Sequence, residues 1–413
     1  MTDNDSLIFF TYHFPVPERA GSFRPWVEAG ILSNMGYDVT VITSGVDYIT
    51  GQSEIQKGSS DVEWKQGMKI VRVKTVSDYR SSKWRRFLNY LIYAIRAFFA
   101  ACREKKPARI FVGSTSYFIT VSVYLYRALK ARGVPYIIDE RDLFVESAIS
   151  LGVMKRRMLA SLMLAWDRFF RSRAETIFAI SDTMKKELVE MKVPPEKIEV
   201  VPSIDITLMR DDMEKDYSFP VKFFEERRSF IIAYTGSFGM ANDVITILKA
   251  AQLVDKENPD IGFVLVGGGD KFDSYMEYIE KFGLHNTRIY PPIGREVVRN
   301  FLQHASVCVH ALRAQKVWNM ALSSKIFDYL LFRKPVLFCG EGEIKDMIEN
   351  IGAGKCVPPE DPRALADAVK ELYEAKDHLG DMGKRGYEFV VKNYPAEKIT
   401  GAFRRRFQYG ASK

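Results

Sequence analysis

Short apolar runs alternate with longer amphipathic stretches along nearly all of the chain. In the first half, Leu7–Thr11, Tyr37–Thr43, Lys69–Lys74, Arg109–Gly113, Tyr136–Asp139, Thr176–Ile180 and Ile198–Val201 read as strands. Helical spacing falls between them at 23–35, 83–104, 118–131, 155–173 and 182–191. The second half repeats the alternation. Strands are expected at Phe230–Tyr234, Gly262–Val266, Arg288–Tyr290, Val307–His310, Pro335–Phe338 and Lys355–Val357. Helices are expected at 242–255, 271–282, 296–304, 324–332, 362–374 and 378–393.

Apolar strands enclosed by helices predict parallel sheets covered on both faces. At 413 residues, two α/β domains of this doubly wound kind are expected rather than one. The boundaries read as 1–205 and 206–395, with a basic helical stretch over 396–413 returning to the first domain. Residues 202–228, with Pro202, Pro220 and many charges, break the pattern and predict a linker. Open sheets of this kind bind ligands beyond their carboxyl edges, so two facing sheets predict a central cleft.

Charge changes the picture in one place. Residues 1–210 hold 31 Lys and Arg against 23 Asp and Glu, whereas the remainder holds 29 of each. The whole excess of +8 therefore lies in the first half. Much of it flanks the apolar, aromatic stretches Phe87–Cys102 and Met158–Phe170, which points to an anionic membrane surface and away from nucleic acid. With Asn89 and Arg96 inside its sixteen residues, Phe87–Cys102 is short for a span. It reads as a core helix or as a helix dipping into a bilayer. Four scattered cysteines without a C-x-x-C fit reduced thiols, and no signal peptide is apparent, so a cytoplasmic, peripheral protein is expected.

Two glycine-bearing turns follow strands of the second half: Thr235-Gly236-Ser237-Phe238-Gly239 and Gly267-Gly268-Gly269-Asp270. Glycine lets backbone N–H groups approach a phosphate, and a following helix N-terminus adds partial positive charge. The pair predicts a nucleotide-diphosphate site in which Gly236, Ser237, Gly239, Asn242, Gly268 and Gly269 line the donor side. Neither turn completes a dinucleotide fingerprint or a Walker loop. Asp211 and Asp212 are adjacent, and the five histidines show no paired ligand spacing, so neither a metal nor another cofactor is expected.

Several stretches together resemble the retaining glycosyltransferases of family 4, in the branch that builds bacterial surface polysaccharides. They are Thr11-Tyr12-His13-Phe14-Pro15 through Arg24, Tyr37–Thr43, Asp47–Gly51, Asp139–Gly152, and Ser323-Ser324-Lys325-Ile326-Phe327-Asp328-Tyr329-Leu330 with Arg333-Lys334-Pro335-Val336. The resemblance covers nearly the whole chain in the family's order. It implies the GT-B fold, with two Rossmann-like domains facing a cleft. The implied activity is transfer of a sugar, from a nucleotide donor expected to be UDP-linked, to a lipid-linked glycan acceptor in polysaccharide or O-antigen synthesis. Anomeric configuration would be retained by front-face attack, with the departing phosphate as base.

Asp328 takes the place of the second glutamate of the family's E-x7-E, which holds the ribose. Met320 stands where the first would be. The Arg and Lys that often follow the first glycine turn are replaced by Met240-Ala241-Asn242-Asp243. Lys325 is the candidate for the missing charge, helped by amides at Ser323 and Ser324 and by the dipole of the helix they open. Ile293 is placed near the base, and Gly21 and Ser22 near the donor phosphate. Arg141, Asp142 and Glu146, beyond a strand of the first domain, read either as a self-satisfied ion-pair network or as groups orienting the acceptor. Two other readings are weighed: a UDP-sugar 2-epimerase of the same fold, and a nucleotide-binding protein without turnover.

Overall fold

The computed structural model describes residues 6–19, 21–47, 51–53, 55, 58, 60–77, 79, 82–114, 117–150, 152, 154, 156–209, 229–255, 257–320 and 322–408. The expected linker lies outside them from residue 210 to 228, as do Tyr48–Thr50, Arg80 and Lys155. The chain forms two compact units, one of residues 1–16, 22–202 and 397–413, the other of 17–21 and 203–396.

The first unit carries an eight-stranded sheet. Its strands are β1 (Ser6–Phe10), β2 (Asp38–Ser44), β3 (Ser60–Lys65), β4 (Met68–Val73), β5 (Arg109–Ser114), β6 (Tyr136–Glu140), β7 (Thr176–Ala179) and β8 (Ile198–Val200), in the order β3-β4-β2-β1-β5-β6-β7-β8. All pairings are parallel except β3 with β4. The apolar pattern missed β3 because it is an edge strand with mostly polar positions, Val62 and Trp64 standing exposed between charges. Its turn was nevertheless written in Gln66-Gly67, both at positive φ (48° and 77°), the conformation that tight hairpins need.

The helix Lys83–Arg103 starts at Ser82, whose hydroxyl accepts from Arg85 N at 3.1 Å. It turns Asn89, Tyr93, Ala97 and Ala101 to the sheet, and the Tyr93 hydroxyl donates to the carbonyls of Thr11 (2.9 Å) and Ile42 (3.1 Å). Its outer face is apolar too: Trp84 is 69% exposed and Phe99 57%, with Phe87 and Ile95 between them. Neither half of the expectation was complete, since one face is core and the other is bare. Among the described residues no helix is long and apolar enough to cross a membrane.

The helix Ala396–Gln408 packs in this same unit. Phe403 and Phe407 stand against Phe178 and Phe111, the Tyr37 hydroxyl donates to Phe407 O at 2.8 Å, and Arg406 pairs with Glu199. A short helix, Phe144–Ser150, was not expected from the pattern.

The second unit carries β9 (Phe230–Ser237), β10 (Ile261–Gly268), β11 (Thr287–Tyr290), β12 (Val307–Ala311), β13 (Val336–Cys339) and β14 (Gly354–Val357), in the order β11-β10-β9-β12-β13-β14 and parallel throughout. Helices Val244–Asp255 and Pro362–Glu374 cover one face through Ile247, Leu248, Ala251, Leu365 and Val369. The helix Ser324–Leu331 packs against β12 and β13. Strand order reverses between β9 and β12, and a crevice beyond the carboxyl ends at such a switch point is where open sheets place ligands.

Candidate active site

The carboxyl ends of β9 and β10 are built from glycine for a steric reason. The two strands stay paired to their last residues, Gly236 opposite Gly267 and Ser237 opposite Gly268. The expected turns are therefore strand as far as Ser237 and Gly268, a correction whose cause is this continued ladder. The next helices begin only at Val244 and Phe272, so neither opens directly on the glycines. Gly236 has φ +137°, and a Cβ there would fall on Cε of Lys325. Gly267 has no room either, because its Cβ would meet the carbonyl oxygen of Gly236. Gly269 lies past β10 with φ +146°, against the Phe238 backbone, and Gly239 lies in a bend near Ser237.

Lys325 occupies the space that Gly236 leaves. It sits in the first turn of the helix Ser324–Leu331, whose opening residue Ser323 is extended (φ −62°, ψ 129°) and makes no side-chain cap. The amides of Ser324 and Lys325 have no intrahelical acceptor, while Ile326 N donates to Ser323 O at 3.1 Å. The ammonium donates to Asn242 Oδ1 at 3.1 Å and lies 5.7 Å from the Tyr234 ring centre. Asn242 in turn donates to Ser237 O (3.0 Å) and Ser237 Oγ (2.9 Å). Gly236, Ser237, Asn242 and Lys325 are thus brought into one corner. Burial pulls the Lys325 ammonium down to about 8, with Asp328 opposing. His310 on β12 is buried with both ring nitrogens unpartnered, and burial followed by the Lys325 charge holds it neutral.

Asp328, the ribose candidate, is ion-paired within its own unit. Arg295 donates to both its oxygens, at 2.7 and 2.5 Å, and also pairs with Asp205 at 3.0 Å. The residue is 5% exposed. Burial raises its pKa and Arg295 opposes. Arg295 opens the helix Arg295–Gln303 directly after Ile293 and Gly294; Ile293 is half-buried in the preceding segment.

Of the two readings of Arg141, Asp142 and Glu146, the structure shows ion pairs at Arg141 and Glu146. Arg141 is held by Asp139 and Glu28 (3.1 Å), and Arg24 bridges the same two acids. Glu146 is held by Arg171 at 3.1 Å, which also takes Glu140 at 2.9 Å. These are mostly buried networks at the end of β6, and they hold Arg141 and Glu146 in ion pairs. Burial, then the charge of Asp139, pushes the Glu28 carboxyl up against its two arginines. Asp142 faces solvent. Gly21 and Ser22 are exposed, Gly21 at φ +152°. Arg24, Glu28, Arg171 and Arg295 were missed because their charged partners lie 25 to 115 residues away, except within the pairs Arg24–Glu28 and Asp167–Arg171. Asp3-Asn4-Asp5, a D-x-D spacing, lies outside the described residues. Among those residues no group of three or more His, Cys, Asp or Glu is arranged to hold a metal ion.

Known proteins share both halves. Residues 29–203 match the glycosyl transferase 4-like domain and residues 218–389 the glycosyl transferases group 1 domain. The probable glycosyltransferase WbjE of Pseudomonas aeruginosa is 22% identical over 322 residues, covering 76% of this chain and 79% of its own. Sucrose-phosphate synthase of Thermosynechococcus elongatus superposes with a TM-score of 0.71 at 15% identity, over 98% of this chain and 100% of that one. HepE of Anabaena, solved with UDP and glucose, superposes with a TM-score of 0.70 at 12% identity, over 98% and 99%. With its two parallel-sheet Rossmann-like units and these two matched domains, the chain belongs to the family-4-like glycosyltransferases of the GT-B fold.

Proposed function

We propose that this glycosyltransferase moves a sugar from a UDP-linked donor to a lipid-linked glycan acceptor in surface-polysaccharide synthesis, with retention and without a metal. The observation that carries the donor reading is the Lys325 ammonium lodged over Gly236 and tied to Asn242 at the switch point of the second sheet. Departure of a nucleoside diphosphate concentrates negative charge, and a preorganised ammonium and helix-start amides stabilise it more in the transition state than in the bound donor. The Anabaena relative holding UDP on the same fold supports a UDP donor, and the Pseudomonas relative, itself a probable glycosyltransferase, supports sugar transfer.

A lipid-linked acceptor is favoured by the first unit. Trp84, Phe87, Ile95 and Phe99 are exposed on one helix, and Met158 (87% exposed), Leu159 and Leu162 on the helix Arg157–Arg173. Arg85, Arg103, Lys105 and Lys106 are exposed alongside the first of these. Apolar side chains bordered by cations suit an anionic bilayer surface. Release of nucleotide from a panel of UDP-sugars, with and without lipid acceptor, tests the whole reading. Transfer should survive chelator, and loss of transfer on chelation refutes the metal-free step. Epimerised donor in the absence of acceptor would establish the 2-epimerase instead. Replacing Trp84, Phe87 and Phe99 together by Ser should release the protein from anionic vesicles; retained binding refutes the membrane face.

A further inference from the structure

The segment after β12 holds a guanidinium with nothing to bind. Arg24, Arg141, Arg171 and Arg295 are all paired with carboxylates. Arg313 is half-buried with its Nε shut away from solvent, yet its guanidinium makes no hydrogen bond or ion pair among the described residues. Leaving one buried donor unsatisfied costs about 1–3 kcal/mol, so the arrangement calls for an explanation such as a ligand.

The backbone says which ligand. Leu312 forms an antiparallel bridge with Asn242, and Arg313 N donates to Ala241 O at 3.1 Å. Asn242 is the residue that ties Lys325 to Ser237. The stretch Met240–Asp243 has no cation of its own. Its one acid, Asp243, is turned to the Thr246 hydroxyl at 2.5 Å. Besides His310 and Arg299 Nε, two other buried polar groups of the unit lack partners: the Trp318 indole N–H, in the 3₁₀ turn Lys316–Met320, and the Tyr275 hydroxyl, on which the Arg313 charge bears.

We propose that Arg313 is a donor-binding residue that receives an anionic group of the nucleotide sugar, supplying a second positive charge beside Lys325. The inference rests on the Lys325 corner being the donor site. Two groups share the required chemistry: the diphosphate of every such donor, and a carboxylate on the sugar. Either one accepts paired N–H bonds from a guanidinium.

Calorimetric titration of wild type and Arg313→Gln with UDP, UDP-glucose and UDP-glucuronate tests it. If the diphosphate is the partner, Arg313→Gln weakens all three by about tenfold or more. If a sugar carboxylate is the partner, only UDP-glucuronate weakens by that factor. Equal affinities of variant and wild type for all three overturn the inference while leaving the Lys325 site standing. A wild type that binds none of the three overturns both. The variant should melt no lower than wild type, because it removes an unsatisfied charge and breaks no pair; a lower melting point with unchanged affinity assigns Arg313 to structure.

Discussion

Gly236→Ala separates the two things this glycine does. At φ +137° a side chain is strained, which costs about 1–3 kcal/mol. The steric overlap is with Cε of Lys325, the far end of a flexible chain, so the fold can relieve it by moving the lysine. Ordinary carbon contact needs about 3.5 Å, so Cε must shift by more than an ångström and the 3.1 Å bond from Nζ to Asn242 is lost. Misplacing a catalytic group by that much costs on the order of 10²-fold in turnover. Gly283 provides the control. It caps a helix at φ +57° with nothing within 4 Å of an added Cβ, so Gly283→Ala costs about 1 kcal/mol of stability and no activity. Thermal melting together with kcat and KM on a UDP-sugar reads both effects. The expected result is that both variants melt lower and only Gly236→Ala loses kcat. A Gly236→Ala enzyme with wild-type kcat refutes the idea that Lys325, placed by that glycine, acts on the leaving group.

Lys325 is also expected to set the alkaline limb of the pH profile. The ammonium is present below its pKa of about 8 and lost above it, so kcat/KM should fall as pH rises through about 8. The limb in kcat should lie higher, because bound diphosphate favours the charged form, and Lys325→Arg should flatten it; a flat wild-type profile from pH 7 to 9.5 removes Lys325 from the charged role. Arg141→Ala leaves Asp139 and Glu28 with Arg24 alone, and breaking such a buried pair costs about 3–5 kcal/mol. Melting temperature should drop while kcat measured well below it stays within about threefold; a selective loss of kcat restores Arg141 to the chemistry. Asp328→Asn should likewise destabilise by stranding Arg295, and affinity for UDP should change less than it does in Lys325→Ala; the reverse order would return the ribose to Asp328.

What the sequence made legible follows from the range over which each signal acts. Period and apolar run length are local, so the parallel strands of both sheets, and the glycines at the ends of β9 and β10, could be read from the residues themselves. The edge strand β3 could not, since exposure removes the apolar signature that defines a strand, and only Gln66-Gly67 betrayed it. Charged residues behave differently. The motif that suggested Arg141, Glu146 and Asp328 as reactive groups is equally the motif of a buried carboxylate or guanidinium waiting for a partner, and the partner is chosen by topology. Asp139 meets Arg24 because β6 ends where the helix Arg24–Asn34 begins, 115 residues apart in sequence. Lys325 escaped that fate for a reason the sequence did contain: the residue facing it is Gly236, which offers space and no carboxylate. The same test, asking which cations the fold leaves without an acid, is what separates Arg313 from Arg295 in the second unit.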